Sequence, residues 1–292
     1  MAVQRIEFEA IGTLWNIDLY DLDNQDILKI SNLIKARIEL FDKTYSRFRP
    51  DSLISEMGKI SGTYRLPEDA KEMIDLYRRM FDATSGKVTP LIGQVLVDAG
   101  YDANYSLTPK PKISPAKLWS EVIEYNFPNI TLKEPAVLDF GAIGKGYLID
   151  IISNLLSQNG ILNHVVEAGG DMISKSTNST QIQVALEDPD NTENAIGIAE
   201  ICNEALAGSA TNRRKWHGFH HIIDPEIVKS PNHIKAVWVV AKTTTLADAL
   251  STALFFTKAE KLKQLFDFEY LILWQDKSAS KSQGFKGNLF TN

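Results

Sequence analysis

The sequence predicts an α+β protein with a mixed or antiparallel sheet. Strand-like and helix-like stretches are interleaved along its 292 residues, but no regular βαβ rhythm persists. Hydrophobic residues make up 44% of the chain and charged residues 23%, which are ordinary globular proportions. The length suffices for one large domain or two small ones.

The first third of the chain predicts a hairpin followed by two helices. Residues 5–20, "RIEFEAIGTLWNIDLY", alternate apolar and polar side chains around Gly12, as a β-hairpin does. Residues 23–46 repeat apolar side chains at helical spacing, starting from an Asn or Asp cap. Residues 66–86 predict another helix, with Pro67 in the first turn and Gly86 as the stop.

Beyond the Pro- and Lys-rich stretch 104–119, which predicts an exposed excursion, periodic patterns resume at once. "AVLDF" (136–140) predicts a strand and 146–160 a helix, followed by a strand at 163–172. Further strands are expected near 180–188 and 195–209, and a helix at 243–256.

Charge and cysteine content exclude several classes of protein. The net charge is −6 and the Lys and Arg residues are scattered, so we expect no nucleic-acid partner. Cys202 is the only cysteine, which excludes an internal disulfide or a thiolate zinc site. No apolar window of about 18 residues predicts a transmembrane segment. As written the chain is expected in the cytoplasm, although removal of a leader would leave the same picture.

The first stretch that could carry chemistry is "DFGAIGKGY" (139–147), whose glycines are spaced G-x-x-G-x-G. This spacing matches neither the dinucleotide fingerprint nor the P-loop. Two interpretations remain open. The glycine N–H groups and Lys145 could contact a phosphate at a helix N-terminus, or the glycines could serve only a tight strand-to-helix turn.

A second stretch is "TTTLADALSTALFF" (243–256), in which Asp248 and Thr252 share one helix face. A carboxylate and a hydroxyl on one helical turn are half of an oxygen site for Mg²⁺, which phosphates and water usually complete. The alternative is a capping box between Thr245 and Asp248, which requires no metal.

Two further stretches are polar. Residues 207–226, expected to form a loop, could hold a transition metal or contact an anionic ligand; their candidate side chains are Arg213, Arg214, His217, His220, His221 and Asp224. "VVEAGGDM" (165–172) places two glycines before Asp171, which allows a bulge or a close backbone approach.

Taken in order, these stretches resemble the FAD:protein FMN transferase (ApbE-like flavin transferase) family. The matching segments are "DFGAIGKGY", "AGGDM", "GSATNRR" with "HIIDP", and "ADALSTA". Nearer the N-terminus, "AIGTLW", "YSRFRPDSLIS" and "TPLIGQVLVDAGYD" also look like the family's segments. The resemblance runs from about residue 8 to residue 260. Each motif alone is a weak signal, but six motifs in this order are specific for the family.

The resemblance implies one two-lobed flavin transferase domain over residues 1–292, with FAD in a cleft and Mg²⁺ on its pyrophosphate. By position, the metal ligands would be the carbonyl of Ala142, the carboxylate of Asp248 and the hydroxyl of Thr252, with Ser251 as an outer contact. His221 would lie beside the FAD-binding wall. The positions that match FAD contacts are Ile11, Phe48, Ala99, Gly100, Tyr101, Asp139, Lys145 and Ile222.

The implied reaction moves FMN from FAD onto a Ser or Thr hydroxyl of an acceptor protein and releases AMP. Such phosphoryl transfer relies on positioning and charge neutralisation, and needs no covalent nucleophile of the enzyme. The general base could be His221 or Asp248. Three positions depart from the family pattern: Gly58 stands for Asn, Ala210 follows Ser209 in place of Gly, and Ile11 stands for Met.

Two other functions remain open. Water could replace the acceptor, which would make the protein a Mg²⁺-dependent FAD pyrophosphatase, and Gly58 is the feature that favours this alternative. The chain could also be a non-catalytic FAD-binding protein if Asp248 were only a capping residue.

Overall fold

The structure, a computed structural model, describes residues 3–20 and 26–290. In chain order its helices are α1 Ile27–Tyr45, α2 Leu53–Met57, α3 Ala70–Ala83, α4 Gly93–Asp98, α5 Trp119–Val122, α6 Gly144–Gln158, α7 Thr244–Ala253 and α8 Ala259–Lys263. Its strands are β1 Val3–Ala10, β2 Thr13–Tyr20, β3 Gly62–Arg65, β4 Ile123–Asn126, β5 Asn129–Leu132, β6 His164–Ala168, β7 Asp171–Lys175, β8 Ile182–Asp188, β9 Asn191–Ile201, β10 Ala205–Ala210, β11 Lys215–Trp216, β12 Phe219–His220, β13 Ile234–Ala241, β14 Glu269–Trp274, β15 Ala279–Lys281 and β16 Gly287–Leu289.

An eight-stranded sheet organises the fold in the order β1-β2-β6-β7-β10-β13-β14-β15. Three smaller sheets accompany it: β16-β9-β8, β3-β5-β4 and the β11-β12 pair. Every strand pairing in the described part of the chain is antiparallel. The α+β class is therefore confirmed, and the sheet is antiparallel rather than mixed.

Strand β13 shows how the main sheet is covered on both faces. Its side chains alternate in direction, as strand geometry requires. Val237 and Val239 join the main core with the helices, whereas Trp238 and Val240 join a second core with residues of β8 and β9. The helices therefore cover one face of the sheet, and the small sheet containing β8 and β9 covers part of the other face.

The predicted N-terminal hairpin and first helix are confirmed. Strands β1 and β2 pair over eight positions and are joined by a two-residue turn at Ile11 and Gly12, both with positive φ (46° and 73°). Helix α1 buries side chains at helical spacing from Ile30 to Tyr45. It begins after Asp26, whose side chain makes no capping hydrogen bond; residues 23–25 of the expected cap lie outside the described residues.

Several predicted elements differ in the structure. The expected helix at 66–86 is α3, which begins only at Ala70, so Pro67 precedes its first turn; Gly86, with φ +87°, follows its end. "AVLDF" is not a strand. The single strand expected at 163–172 is a hairpin, because Gly169 and Gly170 both take positive φ and turn β6 into β7.

The strand pattern expected at 195–209 is two strands, β9 and β10, and the loop expected at 207–226 contains the end of β10 and the short strands β11 and β12. The expected exposed segment agrees with the structure. Residues 103–118 contain no helix or strand and are mostly exposed, as the Pro- and Lys-rich composition predicts. No helix among residues 3–20 and 26–290 is long and apolar enough to cross a membrane.

Candidate functional site

The start of α6 lies directly against α7, and this contact positions Asp248. The backbone N–H of Gly146 donates a hydrogen bond to Asp248 Oδ2 at 2.9 Å, across 102 residues of sequence. A side chain at position 146 would have no room, because a Cβ there would lie 2.4 Å from Thr244 O and 2.7 Å from Asp248 Cβ. Gly146 therefore permits the close approach that brings Asp248 to the start of α6.

The capping-box interpretation of Asp248 is wrong. The N-cap of α7 is Thr243, whose hydroxyl accepts a hydrogen bond from the N–H of Leu246. The first two N–H groups of the helix, those of Thr244 and Thr245, donate to the carboxylate of Asp150 on α6, at 2.9 and 2.8 Å. Since other residues cap α7, the carboxylate of Asp248 serves no capping role in its own helix.

Lys145 and Asp171 form a second charged group beside Asp248. Lys145 Nζ makes an ion pair with Asp171 Oδ2 and donates to the carbonyl of Ala168 at 3.3 Å. Asp171 Oδ1 accepts the N–H of Gly208 at 2.9 Å, and its side chain is only 1% exposed.

Two buried carboxyl groups, those of Asp248 and Asp171, lie beside Lys145. Asp248 is 5% exposed, and its burial together with the nearby carboxylate of Asp171 raises the pKa of Asp248, whereas Lys145 lowers it. One lysine thus faces two buried carboxyl groups, and a cation bound beside them would favour the ionised form of Asp248.

The turn between β1 and β2 lies at the same edge of the sheet as Lys145. The N–H of Gly169 donates to Leu14 O at 3.2 Å, and a Cβ on Gly169 would lie 2.5 Å from Thr13 Oγ1. Gly169 directly follows Ala168, the carbonyl partner of Lys145. Thr13, next to this turn, therefore lies close to the segment that carries the carbonyl partner of Lys145, and the φ of 46° at Ile11 is unusual for a β-branched residue.

Asp139 is held from two sides. Arg47 Nε donates to Asp139 Oδ2 at 2.5 Å, and the N–H of Gly141 donates to Asp139 Oδ1 at 2.7 Å. The Arg47 side chain is 3% exposed and that of Asp139 is 11% exposed. Arg47 is a site residue that the sequence analysis missed, because its partner lies 92 residues away.

The predicted FAD-contacting aromatics meet in one cluster. The rings of Phe48 and Tyr101 pack edge to face at 5.5 Å between centroids, and Trp216 lies 5.8 Å from Tyr101. Trp216 Nε1 donates to Ala99 O at 2.7 Å. Trp216 also went unnoticed in the sequence, since the loop around it was analysed for its charged side chains.

Gly100 closes the loop next to this aromatic cluster. Its φ is +101°, and a Cβ would lie 2.5 Å from the N atom of Thr108. Its carbonyl accepts the N–H of Leu107 at 2.8 Å. A glycine is required here by the backbone, whatever ligand lies beside it.

His221 and Ile222 follow the β11–β12 hairpin. Burial, together with the nearby charges of Arg214 and His220, lowers the pKa of His221 to about 3, so the imidazole is neutral at pH 7. Its Nδ1 is buried without a hydrogen-bond partner among the described residues. Ile222 is 4% exposed and packs in the main core.

The glycines of "DFGAIGKGY" belong to the turn rather than to a ready-made anion site. The N–H of Gly144 donates to Phe140 O at 2.6 Å, and those of Gly141 and Gly146 are bonded to Asp139 and Asp248. With these three N–H groups engaged, a phosphate would depend on Lys145 or on a bound cation.

Transition-metal binding by the 207–226 stretch finds no support in the geometry. Within residues 3–20 and 26–290 no group of three or more His, Cys, Asp or Glu side chains could hold a metal ion. His220 Nε2 is bonded to Pro231 O at 2.8 Å, and Asp224 pairs with Lys87. A metal at Asp248 would require hydroxyl, carbonyl or ligand oxygens in addition.

This fold is that of solved flavin transferase structures. A solved structure titled as the ApbE protein from Thermotoga maritima superposes with a TM-score of 0.84 at 21% identity, covering 97% of each chain. Flavin transferase ApbE from Vibrio cholerae gives 0.80 at 20% identity, over 97% of this chain and 98% of its own.

The sequence profile of the ApbE family matches residues 11–272, and the chain belongs to this family. Relatives named FAD:protein FMN transferase include one from Klebsiella pneumoniae (strain 342), 24% identical over 96% of this chain and 85% of its own length. Another, from Salmonella typhimurium, is 24% identical over 98% of this chain and 87% of its own.

Proposed function

We propose that this protein transfers the FMN part of FAD to a Ser or Thr hydroxyl of an acceptor protein in a Mg²⁺-dependent reaction that releases AMP. Family membership and the names of the relatives support the reaction class. The observation that carries the proposal is the buried carboxylate of Asp248, which caps no N–H of its own helix, accepts the N–H of Gly146 at the start of α6, and lies beside a second buried carboxylate and one lysine.

The residues at this place fit a magnesium ion. Asp248 provides a carboxylate, and Thr252 provides a hydroxyl one turn further along α7. Ala142 precedes α6 by two residues, and its carbonyl is the third proposed ligand. Oxygen donors alone, with positions left for phosphates, are what Mg²⁺ prefers. When bound, the ion would neutralise the pyrophosphate of FAD and the charge that develops on AMP.

The other residues would bind and orient FAD. Phe48, Tyr101 and the Ala99–Gly100 turn supply an aromatic and backbone surface, while Asp139 and Lys145 supply hydrogen bonds and charge. The positive φ of Ile11 supports a role for the hairpin turn, because strained backbone is often retained at ligand sites. Ile222 would contribute through its backbone, because its side chain packs in the core.

The proposed step is an in-line displacement at phosphorus. The acceptor hydroxyl oxygen forms a bond to the FMN phosphorus, the bond from that phosphorus to the bridging oxygen breaks, and AMP leaves with the electron pair. The hydroxyl proton passes to a base. The two candidate bases are His221 and Asp248. Burial makes the imidazole of His221 a weak base, with a pKa lowered to about 3, and Asp248 would be occupied with the metal.

The test is to incubate the protein with FAD, Mg²⁺ and a purified flavin-acceptor domain that carries a target Thr. Covalently yellow acceptor and free AMP in equal amounts, both lost with EDTA and with a Thr→Val acceptor, would support the transferase. Free FMN with an unlabelled acceptor would instead identify the pyrophosphatase. The non-catalytic alternative gave Asp248 only a capping role. Thr243 and Asp150 cap α7, whereas Asp248 accepts the N–H of Gly146 at the start of α6; unchanged FAD would support this alternative and contradict the proposal.

A further inference from the structure

Three consecutive cations, Arg213, Arg214 and Lys215, lead into the β11–β12 hairpin, although the whole chain has a net charge of −6. All three residues are exposed. Arg213 pairs with Glu187 at 2.5 Å, but neither Arg214 nor Lys215 forms an ion pair among the described residues. Two such exposed cations are suited to an anionic partner, and no part of the proposed phosphoryl transfer step engages them.

The hairpin is held against the body of the protein by its aromatic residues. Trp216 is 6% exposed, and its Nε1 donates to Ala99 O at 2.7 Å. The ring of Phe219, the cross-strand partner of Trp216, lies 6.2 Å from the indole ring. Because successive side chains of a strand point to opposite sides, the burial of Trp216 directs Lys215 outward. The cations are thus presented from a fixed base.

Tyr105, in the loop that follows α4, is another exposed residue near this hairpin. Its ring lies 5.4 Å from that of Tyr101, and Arg214 Cζ lies 5.8 Å from the same Tyr101 ring. Tyr101 is buried, whereas Tyr105 is 52% exposed. Two segments that are distant in the sequence therefore place an exposed tyrosine and an exposed arginine around one buried ring.

The backbone at Tyr105 and at Arg214 is in the left-handed region, with a φ of 51° at both residues. This conformation is unfavourable for residues other than glycine and is enriched at functional sites. Around Tyr105 it is held by Asp102 Oδ1, which accepts the N–H groups of Asn104 and Ser106 at 2.9 and 3.1 Å. An exposed tyrosine on such an ordered loop loses little conformational entropy when a partner binds.

An exposed tyrosine close to an exposed arginine is suited to a protein partner. Tyr and Arg are enriched among the residues that dominate the binding energy of protein interfaces. An arginine without an acidic partner can bind a carboxylate through two parallel hydrogen bonds. Tyr101 and Ala99 belong to the proposed FAD-binding wall, so a polypeptide bound here would lie beside the donor of the FMN group. The acceptor protein is the partner that has to reach this place.

We propose that Tyr105, Arg214 and Lys215 form the docking surface for the acceptor protein, and that they bind an acidic segment next to its target Ser or Thr. The inference rests on the proposed function, which requires an acceptor but assigns neither its binding surface nor its charge. Arg214 and Lys215 pair with acceptor carboxylates, and the ring of Tyr105 packs against the acceptor chain. The positive surface also offsets the repulsion that an acidic acceptor would meet from a protein with a net charge of −6.

The test measures acceptor recognition separately from FAD binding. Tyr105→Asn and Arg214→Asn remove the two side chains, and asparagine tolerates the left-handed backbone at both positions. Lys277→Asn is the matched control, because Lys277 is an exposed cation with a φ of 69° in the β14–β15 turn, beside Asp190. For each protein, calorimetry gives the Kd of FAD with Mg²⁺. Initial rates of covalent flavin incorporation at increasing concentrations of the purified acceptor domain, at low and at high NaCl, give kcat and KM.

Tyr105→Asn and Arg214→Asn should each raise the KM for the acceptor by at least about tenfold, the loss typical of a residue that dominates an interface. The kcat at saturating acceptor and the Kd of FAD should stay as in wild type. High salt should raise the KM of wild type and have less effect on Arg214→Asn, because screening weakens the ion pair that this variant lacks. Lys277→Asn should match wild type in every measurement.

Each contrary outcome identifies which statement is wrong. If wild type labels the acceptor and both folded variants keep its KM, the docking surface is refuted while the proposed function stands. If the variants instead weaken FAD binding, Tyr105 and Arg214 belong to the FAD site, and the docking surface is likewise refuted. If wild type binds FAD but leaves the acceptor without covalent flavin, the proposed function itself fails.

Discussion

Replacement of Asp248 separates a metal ligand from a structural carboxylate. Asp248 Oδ2 accepts the buried N–H of Gly146 at 2.9 Å. Asp248→Ala leaves that N–H without an acceptor, which costs about 1–3 kcal/mol of folding free energy. Asp248→Asn can keep the hydrogen bond through its amide oxygen and removes a buried charge, so its unfolding free energy should stay within about 1 kcal/mol of wild type.

Both variants should lose the Mg²⁺ dependence of FAD binding. If the ion stabilises the transition state through this carboxylate, turnover should fall by about a thousandfold, equivalent to about 4 kcal/mol. The assays are urea unfolding without metal, calorimetric FAD titration with and without Mg²⁺, and AMP release.

Asp150→Asn is the matched control for Asp248, because Asp150 is a buried carboxylate on the same helix pair but caps α7. It should lose stability and retain Mg²⁺-dependent FAD binding. Full Mg²⁺-dependent turnover by Asp248→Asn would refute the metal assignment.

Three further outcomes are expected. Gly146→Ala should destabilise the fold by about 1–3 kcal/mol in urea unfolding, since its Cβ would press on Thr244 O; unchanged stability would contradict the close packing. Burial lowers the pKa of His164 to about 4, so between about pH 6.5 and pH 4 this histidine binds a proton in the unfolded chain but not in the folded one. The free energy of unfolding should therefore decrease as the pH decreases through this range, by up to about 1.4 kcal/mol per pH unit. His164→Gln should flatten that slope in a pH series of unfolding curves. Trp216→Phe removes the hydrogen bond to Ala99 O and should raise the KM for FAD with little change in kcat; an unchanged KM would exclude Trp216 from the FAD surface.

Much of the fold could be predicted because its signals are local. The β1–β2 hairpin has period-two alternation and a glycine at the bend, and α1 has apolar residues at helical spacing. The strand predicted at 136–140 ("AVLDF") was wrong because an apolar run of five residues does not specify which strand it would pair with in a sheet. The single strand predicted at 163–172 was wrong because Gly169 and Gly170 take positive φ and turn the chain. Two glycines in a sequence permit such a turn but do not require it.

For the candidate site too, features set by nearby residues could be predicted, and contacts between distant residues could not. Asp248 and Thr252 could be placed on one face of a helix because four-residue spacing determines it. The partner of Asp248 could not be deduced, and the local pattern even suggested a capping box with Thr245. Likewise, the sequence around Arg47 has no distinguishing pattern, and its importance rests on its contacts with Asp139 and Phe48.

By itself, the sequence determined the α+β class, the main periodic elements and the ordered motifs of the ApbE family, since each depends on residues near one another along the chain. Tertiary structure alone decided which carboxylate caps α7, that the glycine N–H groups are already bonded, and that Arg47 pairs with the carboxylate of Asp139. Those facts depend on close packing between segments that are distant in the sequence. At Gly146, for example, the absence of a Cβ allows the backbone N–H to reach Asp248.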